Sequence, residues 1–285
     1  VNYEEFAPAI LERLRASRRI ANAIVYRAVD STQRIGHQLV EQSLEDDLEI
    51  ASTAIVAWEQ LEGRGRRGRT WQSMPGGGVQ VSLTWGCAPE FLPLLPLASA
   101  IAVGEAIAEY AGSNVAGSIV AGPRLKWPND VMMGDGKVAG VLIETKMRAG
   151  TADGSPDAAP CAVIVGFGVN LNEISPVARE SGAVALADFT DDPPTLDRLT
   201  FEIAERVSRA VDGLSEKSRS TVVDRYRDLL VHEPGDELRC HLGSEIVEGR
   251  FVSVDDDGHL HLDVGAGERV LNAVDFVETL GDLDR

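Results

Sequence analysis

Positive charge is scarce in this chain. Over 285 residues, 27 lysines and arginines stand against 45 aspartates and glutamates, a formal net charge of −18. Such an acidic balance argues against broad binding to nucleic acid or anionic membranes, which is driven by excess basic side chains. Cysteine is also sparse. Cys87, Cys161 and Cys240 are odd in number and far apart in sequence, so they supply neither a disulfide framework nor metal-ligand spacing. A reducing cytoplasm is the expected compartment. The first residues, Val1-Asn2-Tyr3-Glu4-Glu5-Phe6, lack the basic region and apolar core of a secretion signal. The longest apolar run, residues 91–103, contains Pro93 and Pro96 and is too short for a membrane span. No nucleophile elbow, zinc pattern or catalytic Cys/His pair is present.

Against that acidic background, four arginines gather within seven residues, Gly63-Arg64-Gly65-Arg66-Arg67-Gly68-Arg69. Glycine permits sharp turns and close backbone approach. Consecutive amides with arginine forks suit phosphate oxygens. The segment therefore reads as a loop that closes over a small phosphorylated ligand. It is also a near match to the phosphate loop of nucleotide hydrolases, with Val141-Leu142-Ile143-Glu144 as the companion acidic strand. The lysine that such a loop needs before Thr70 is replaced by Arg69, and this disfavours that reading.

A second constellation is Lys126-Trp127-Pro128-Asn129-Asp130. It places an ammonium, an amide and a carboxylate around a rigid turn, a corner suited to phosphate and Mg²⁺. Lys137-Val138-Ala139-Gly140 opens a strand with a lysine that can reach into a cleft. Gly166-Phe167-Gly168-Val169-Asn170-Leu171-Asn172 starts as a Gly-x-Gly element but does not continue as a dinucleotide fingerprint. His259 and His261 would share one face of an exposed edge strand.

Periodicity organises the rest. Helices are expected over residues 4–18, 34–43 (capped by Ser31 or Thr32), 94–110 (stopped by Gly112), 196–214 and 221–230. Strands are expected over 23–29, 51–59, 79–85 (half-buried), a short run ending at Lys126, 137–146 and 162–172. Residues 148–160 read as a mobile hairpin loop. After Pro234-Gly235, short strands at close spacing (237–242, 245–254, 259–264 and 268–272) make a small all-β unit. The expected architecture is an α+β domain over residues 1–232, a mixed sheet with flanking helices, followed by a small β-barrel over 235–283.

In this order and spacing, the motifs resemble those of biotin protein ligases. The resemblance rests on Ser31-Thr32, Gln60, the arginine loop with Trp71, Lys126-Trp127-Pro128-Asn129-Asp130, Lys137-x-Ala139-Gly140 and Gly166-x-Gly168-x-Asn170-x-Asn172. It covers most of the chain. It implies the class II synthetase-like fold of biotin and lipoate ligases, with a Src-homology-3-like C-terminal barrel. The implied activity joins biotin to ATP as biotinyl-5′-adenylate with Mg²⁺. The biotinyl group then passes to a lysine of the biotin carboxyl carrier domain of an acyl-CoA carboxylase.

By the same resemblance, Ser31, Thr32, Gln33 and Gln60 hold the biotin ring, with Arg64, Gly65, Arg66 and Lys137 also on biotin. Arg69, Trp71, Lys126, Asn129, Asp130 and Asn170 hold the nucleotide. Lys137, Arg69 and Lys126 carry the catalytic charge, and Asp130 helps order the metal. One departure concerns Gln33, where the family usually has asparagine. About twenty residues precede the first strand, too few for a winged helix, so no DNA partner is expected, and the chain reads as a monomer or homodimer. The rivals are a lipoate ligase, faintly echoed by Met74-Pro75-Gly76-Gly77-Gly78-Val79, and a non-catalytic biotin or nucleotide sensor.

Overall fold

A computed structural model describes residues 2–111, 122–147, 161–272, 274 and 276–280. The expected stop at Gly112 and the expected loop over 148–160 lie outside the described residues. Seven strands form one mixed sheet in the order β1-β2-β3-β7-β6-β5-β4: β1 (Asn22–Tyr26), β2 (Thr53–Ala57), β3 (Gly78–Cys87), β4 (Arg124–Lys126), β5 (Asp130–Met133), β6 (Gly136–Lys146) and β7 (Cys161–Asn170). Only the β1–β2 pair is parallel.

The helices are α1 (Tyr3–Arg15), α2 (Thr32–Glu45), α3 (Leu95–Ala108), α4 (Pro176–Glu180), α5 (Leu196–Asp212) and α6 (Arg219–Leu229). α1 starts in a reciprocal cap: Glu5 N donates to Asn2 Oδ1 and Asn2 N donates to Glu5 Oε2, an arrangement worth about 1 kcal/mol. Phe6, Ile10 and Leu14, four residues apart, form its buried stripe. Arg13 Nε then reaches Asp197 Oδ2 at 2.7 Å, fastening α1 to the first turn of α5.

The alternation along β7 explains both the core and the site. Val163, Val165, Phe167 and Val169 face the core shared with α3 and α5, and burying such side chains stabilises by roughly 1.5–3 kcal/mol each. On the opposite face, Ala162 and Ile164 pack against Val40 of α2. Gly166, Gly168 and Asn170 continue that face beyond the helix and leave a trough. β3 runs beside β7 throughout, pairing Gly78 with Asn170 and Cys87 with Cys161. It was expected to be half-buried, but α2 and the α3–α5 layer cover both its faces, so its polar Gln80, Ser82 and Thr84 are buried as well.

Three further expectations change. The run from Pro89 to Ala108 is continuous, a 3₁₀ turn (Pro89–Leu94) leading directly into α3. By length and composition alone it would qualify as a membrane span, yet Leu94, Leu95, Ala100, Val103 and Ile107 lie at the centre of the core. The cysteines, distant in sequence, are not all distant in space, since Cys87 and Cys161 are cross-strand partners. All three are free and buried, and burial pushes the Cys87 and Cys240 thiols up to about 11. The histidine pair is not on an edge: β10 is interior, and both rings converge on Asp255, at 3.3 Å for His259 and 2.9 Å for His261.

The second sheet has the order β11-β10-β9-β8-β12, all antiparallel: β8 (Glu237–Leu242), β9 (Glu245–Val254), β10 (Leu260–Asp263), β11 (Glu268–Leu271) and β12 (Phe276–Thr279). Its inward residues, among them Leu238, Phe251, Val254 and Leu262, join the same apolar core. Arg227 Nε donates to Val254 O at 2.7 Å, and Trp127 Nε1 donates to Gly258 O at 2.9 Å. The second sheet thus rests against the underside of the Lys126–Asp130 turn.

Candidate active site

The trough beside α2 opens into a cleft of about 640 Å³. Every residue nominated from the sequence lines it: Ser31, Thr32, Gln33, Gln60, Arg64, Gly65, Arg66, Arg69, Trp71, Lys126, Asn129, Asp130, Lys137 and Asn170. Its floor is made of cross-strand rows on β3, β7 and β6. Ser82, Gly166 and Leu142 form one row, and Gly168 and Gly140 belong to the next.

One end of the cleft is polar but uncharged. Gln60 Oε1 accepts from Thr32 N at 2.8 Å, and Thr32 Oγ1 lies 3.2 Å from the same oxygen. Thr32 Oγ1 also contacts Ser82 Oγ at 2.9 Å, and Ser82 donates to Gln33 Oε1 at 2.8 Å. Gln33 Nε2 donates to Ile164 O at 3.2 Å. Gln33 fits there because residue 166 is glycine: a Cβ would stand 2.5 Å from Gln33 Oε1. Ser31 occupies the cap position of α2, yet it makes no side-chain cap bond. Its hydroxyl is buried without a hydrogen-bond partner, so Ser31 holds the expected cap position without supplying a capping hydrogen bond. An unpaired buried hydroxyl costs about 1–3 kcal/mol, a debt that a polar ligand group would relieve.

The other end is charged. Five cationic side chains, Arg64, Arg66, Arg69, Lys126 and Lys137, line the cleft against three carboxylates, Asp130, Asp135 and Glu278. Lys137 Nζ lies 2.6 Å from Asp130 Oδ1 and 5.8 Å above the centre of the Trp71 ring. The main chain of Lys137 is pinned on both sides, its N–H donating to Gly182 O and its carbonyl accepting from Val184 N. Asn170 fixes the same wall, donating from Nδ2 to Val184 O at 3.2 Å.

The arginine loop folds as a small hairpin over this end. Trp71 N donates to Gly63 O, Gly65 N donates to Arg69 O, and Arg64 bridges to Thr70. Arg66 Nη1 crosses to Asn129 Oδ1 at 3.1 Å, and Asn129 in turn donates to the Val141 carbonyl.

The site so built has a hydrogen-bonding pocket for an uncharged polar group, an apolar floor and a cationic end for anions. A comparison with known sequences matches it. A biotin–[acetyl-CoA-carboxylase] ligase of Paracoccus denitrificans is 30% identical over 237 residues, covering 79% of this chain and 89% of that one. The chain belongs to the biotin protein ligase family.

The model of the biotin/lipoate A/B protein ligase family matches residues 25–155. A biotin–[acetyl-CoA-carboxylase] ligase of Mycobacterium tuberculosis is 28% identical over 236 residues, 80% of each chain. Among solved structures, the biotin protein ligase of Aquifex aeolicus in complex with biotin and ATP superposes with a TM-score of 0.69 at 28% identity. That match covers 91% of this chain and all of the other.

Parts of the ligase cleft had no signal in the sequence reading. Val177, Ala178 and Ser181, on α4 and the turn after it, form one wall, and Val277 and Glu278 of β12 reach the rim from the second sheet. The Ser175-Pro176 step was an available helix-start signal, since Ser175 Oγ accepts from Ala178 N at 3.1 Å.

Gly168 tests the floor. A Cβ there would lie 2.4 Å from Trp71 Cε2, inside any tolerable contact. Trp71 belongs to a loop and Gly168 to a central strand, so the ring is the part that yields. Gly168→Ala is expected to weaken ligand binding by about 1–3 kcal/mol, the usual cost of overpacking. Calorimetric titration with biotin and with ATP checks this, the thermal midpoint staying near that of the parent chain.

Proposed function

We propose that the cleft performs both half-reactions of protein biotinylation. The observation that carries this reading is the union, in one cleft, of the buried, unpartnered Ser31 hydroxyl at a neutral polar end with the cationic cluster around Lys137 at the other. The ureido ring of biotin, a compact donor–acceptor unit, suits Ser31, Thr32, Gln33 and Gln60. The apolar floor suits its aliphatic chain. A volume of about 640 Å³ falls within the ~300–1,000 Å³ usual for small-molecule sites.

In the first half-reaction, a biotin carboxylate oxygen attacks the α-phosphorus of ATP. The bond to the bridging oxygen of the β-phosphate breaks, and pyrophosphate leaves with those electrons. Two anions must meet, and Lys137 stands where it can contact both. Arg69 and Lys126 neutralise the phosphates, and Trp71 offers a ring face. In the second half-reaction, the neutral amine of a carrier-domain lysine attacks the acyl carbon, the bond from that carbon to the phosphate oxygen breaks with its electrons leaving on AMP, and the new amide nitrogen gives a proton to solvent. The arginine loop shields the mixed anhydride from water in between.

Mg²⁺ fits this site. It is commonly held by one or two carboxylates together with substrate phosphates. Among the described residues no group of three metal-ligating side chains forms a dedicated cage, but Asp130 lies beside the phosphate-binding cations. Asp130 would hold the ion, which when bound neutralises phosphate charge. The carrier domain of an acyl-CoA carboxylase is the acceptor under this reading, and the cytoplasm is its compartment.

The test is ATP–pyrophosphate exchange with Mg²⁺, with biotin, lipoate or neither added. Biotin-dependent exchange is the expected result. Exchange with lipoate alone would keep the chemistry and replace the substrate. No exchange with either acid would turn the reading towards a sensor.

A further inference from the structure

The arginine loop is fastened to two different walls of the cleft. At its tip, Arg66 meets Asn129. On its first arm, Arg64 Nη2 lies 3.4 Å from Glu144 Oε1. Because Arg64 bridges to Thr70 and Gly65 N donates to Arg69 O at 2.7 Å, whatever fixes Arg64 also fixes the arm that carries Arg69 and Trp71.

Glu144 sits on the same face of β6 as Gly140 and Leu142, opposite Ile164 of β7. It is one step beyond the cleft floor, outside the residues that line the cleft. Its second oxygen, Oε2, is buried and pairs with His37 Nε2 of α2 at 3.0 Å. A second pair, Lys146 with Glu41, ties β6 to α2 beside it. Glu144 therefore joins three parts of the site: the loop, the helix whose first turn is the polar end, and the strand that carries Lys137.

We propose that Glu144 is a positioning residue for the arginine loop. Through Arg64 it holds the loop closed over the mixed anhydride, which then reaches a carrier lysine rather than escaping to solvent. This rests on the adenylate chemistry given above. The pair is partly exposed, with side-chain accessibilities of 44% for Arg64 and 24% for Glu144, so it contributes little to global stability. Loop opening is a finer balance, and a small bias changes the open fraction several-fold.

The experiment measures retention of adenylate. Biotinyl adenylate is formed on the full chain from biotin and α-labelled ATP, free ligand is removed by rapid gel filtration, and release of label is followed. Glu144→Gln keeps the size of the side chain and removes its charge. It is expected to release adenylate about 5–10-fold faster, a shift in loop population, with an unchanged thermal midpoint and pyrophosphate exchange at saturating substrates near wild type. Arg64→Gln should release at least as quickly, and the double variant no faster than Arg64→Gln, because Glu144 acts through Arg64. Retention by Glu144→Gln equal to wild type, or multiplicative effects in the double variant, would overturn the role of Glu144 alone. If Glu144→Gln fails to fold, Glu144→Asp takes its place in the same cycle. A wild-type chain that forms no adenylate overturns both this inference and the function on which it rests.

Discussion

Replacing Lys137 with alanine is expected to reduce biotin-dependent pyrophosphate exchange by about 10²–10³-fold, the effect of removing one electrostatic donor worth on the order of 2.7–4 kcal/mol in the transition state. Two features single out Lys137 for this test. Its Nζ is 2.6 Å from Asp130 and its backbone is clamped by Gly182 and Val184, so the ammonium is held in place before ligand arrives. It is also the cation positioned between the apolar floor, where the biotin chain would lie, and the turn that would face the phosphates. Removing it leaves the Asp130 carboxylate beside incoming anions, so the loss combines a missing attraction with an added repulsion. The fold should not suffer, since the Lys137 side chain is 35% exposed and a partly exposed ion pair contributes only about 0.2–1 kcal/mol to stability. The paired measurement is exchange rate and thermal midpoint. Normal exchange in Lys137→Ala would remove this residue from the mechanism, and a collapsed midpoint would move its role to the fold.

The sequence made the charged end of this site legible because its chemistry is written in contiguous segments. The arginine loop, Lys126–Asp130 and Lys137–Gly140 each carry their functional groups on one turn or strand start, and the fold only has to bring three short pieces together. The seven-stranded sheet was legible to a similar degree, since the alternation in β7 shows one face rich in valine and the other reduced to glycine. What was missed is set by tertiary packing. β3 alternates like a half-exposed strand, and only the placement of α2 over Ser82 and Thr84 buries its polar face. β5 and β12 span four residues each, and neither was expected. The wall at Val177–Ser181 is a short helix with no buried residue of its own, so it leaves no hydrophobic stripe to read. Glu144 is the plainest case. In sequence it ends an apolar strand and looks like the acidic partner of a phosphate loop. In three dimensions its neighbours are Arg64, 80 positions earlier, and His37, more distant still. No local pattern encodes neighbours on a distant loop and helix.

Arg66→Gly is expected to keep making adenylate but to lose it to solvent, so that biotin appears on bystander lysines. Arg66 is the tip of the loop hairpin, and its guanidinium spans the cleft to Asn129, whose own amide is fixed on Val141. The strap therefore ends on a rigid element rather than on another loop. Glycine removes the strap and, lacking a Cβ, widens the conformations open to the tip, so the loop loses an anchor and gains entropy in the open state together. The Lys137 ammonium and the polar groups of Thr32 and Gln33 sit on β6 and α2, apart from the loop tip, which is why the first half-reaction should persist. Loss of a charge-assisted hydrogen bond worth about 1.5–3 kcal/mol corresponds to release roughly 10–150-fold faster, a larger effect than at Glu144, whose contact to the loop is longer. Mass spectrometry of bystander proteins, set beside the ratio of ATP consumed to carrier lysine modified, reads the leak directly. A variant as selective as wild type, with one carrier lysine modified per ATP, would show that the loop does not retain the intermediate and that protection of the anhydride must come from the carrier domain.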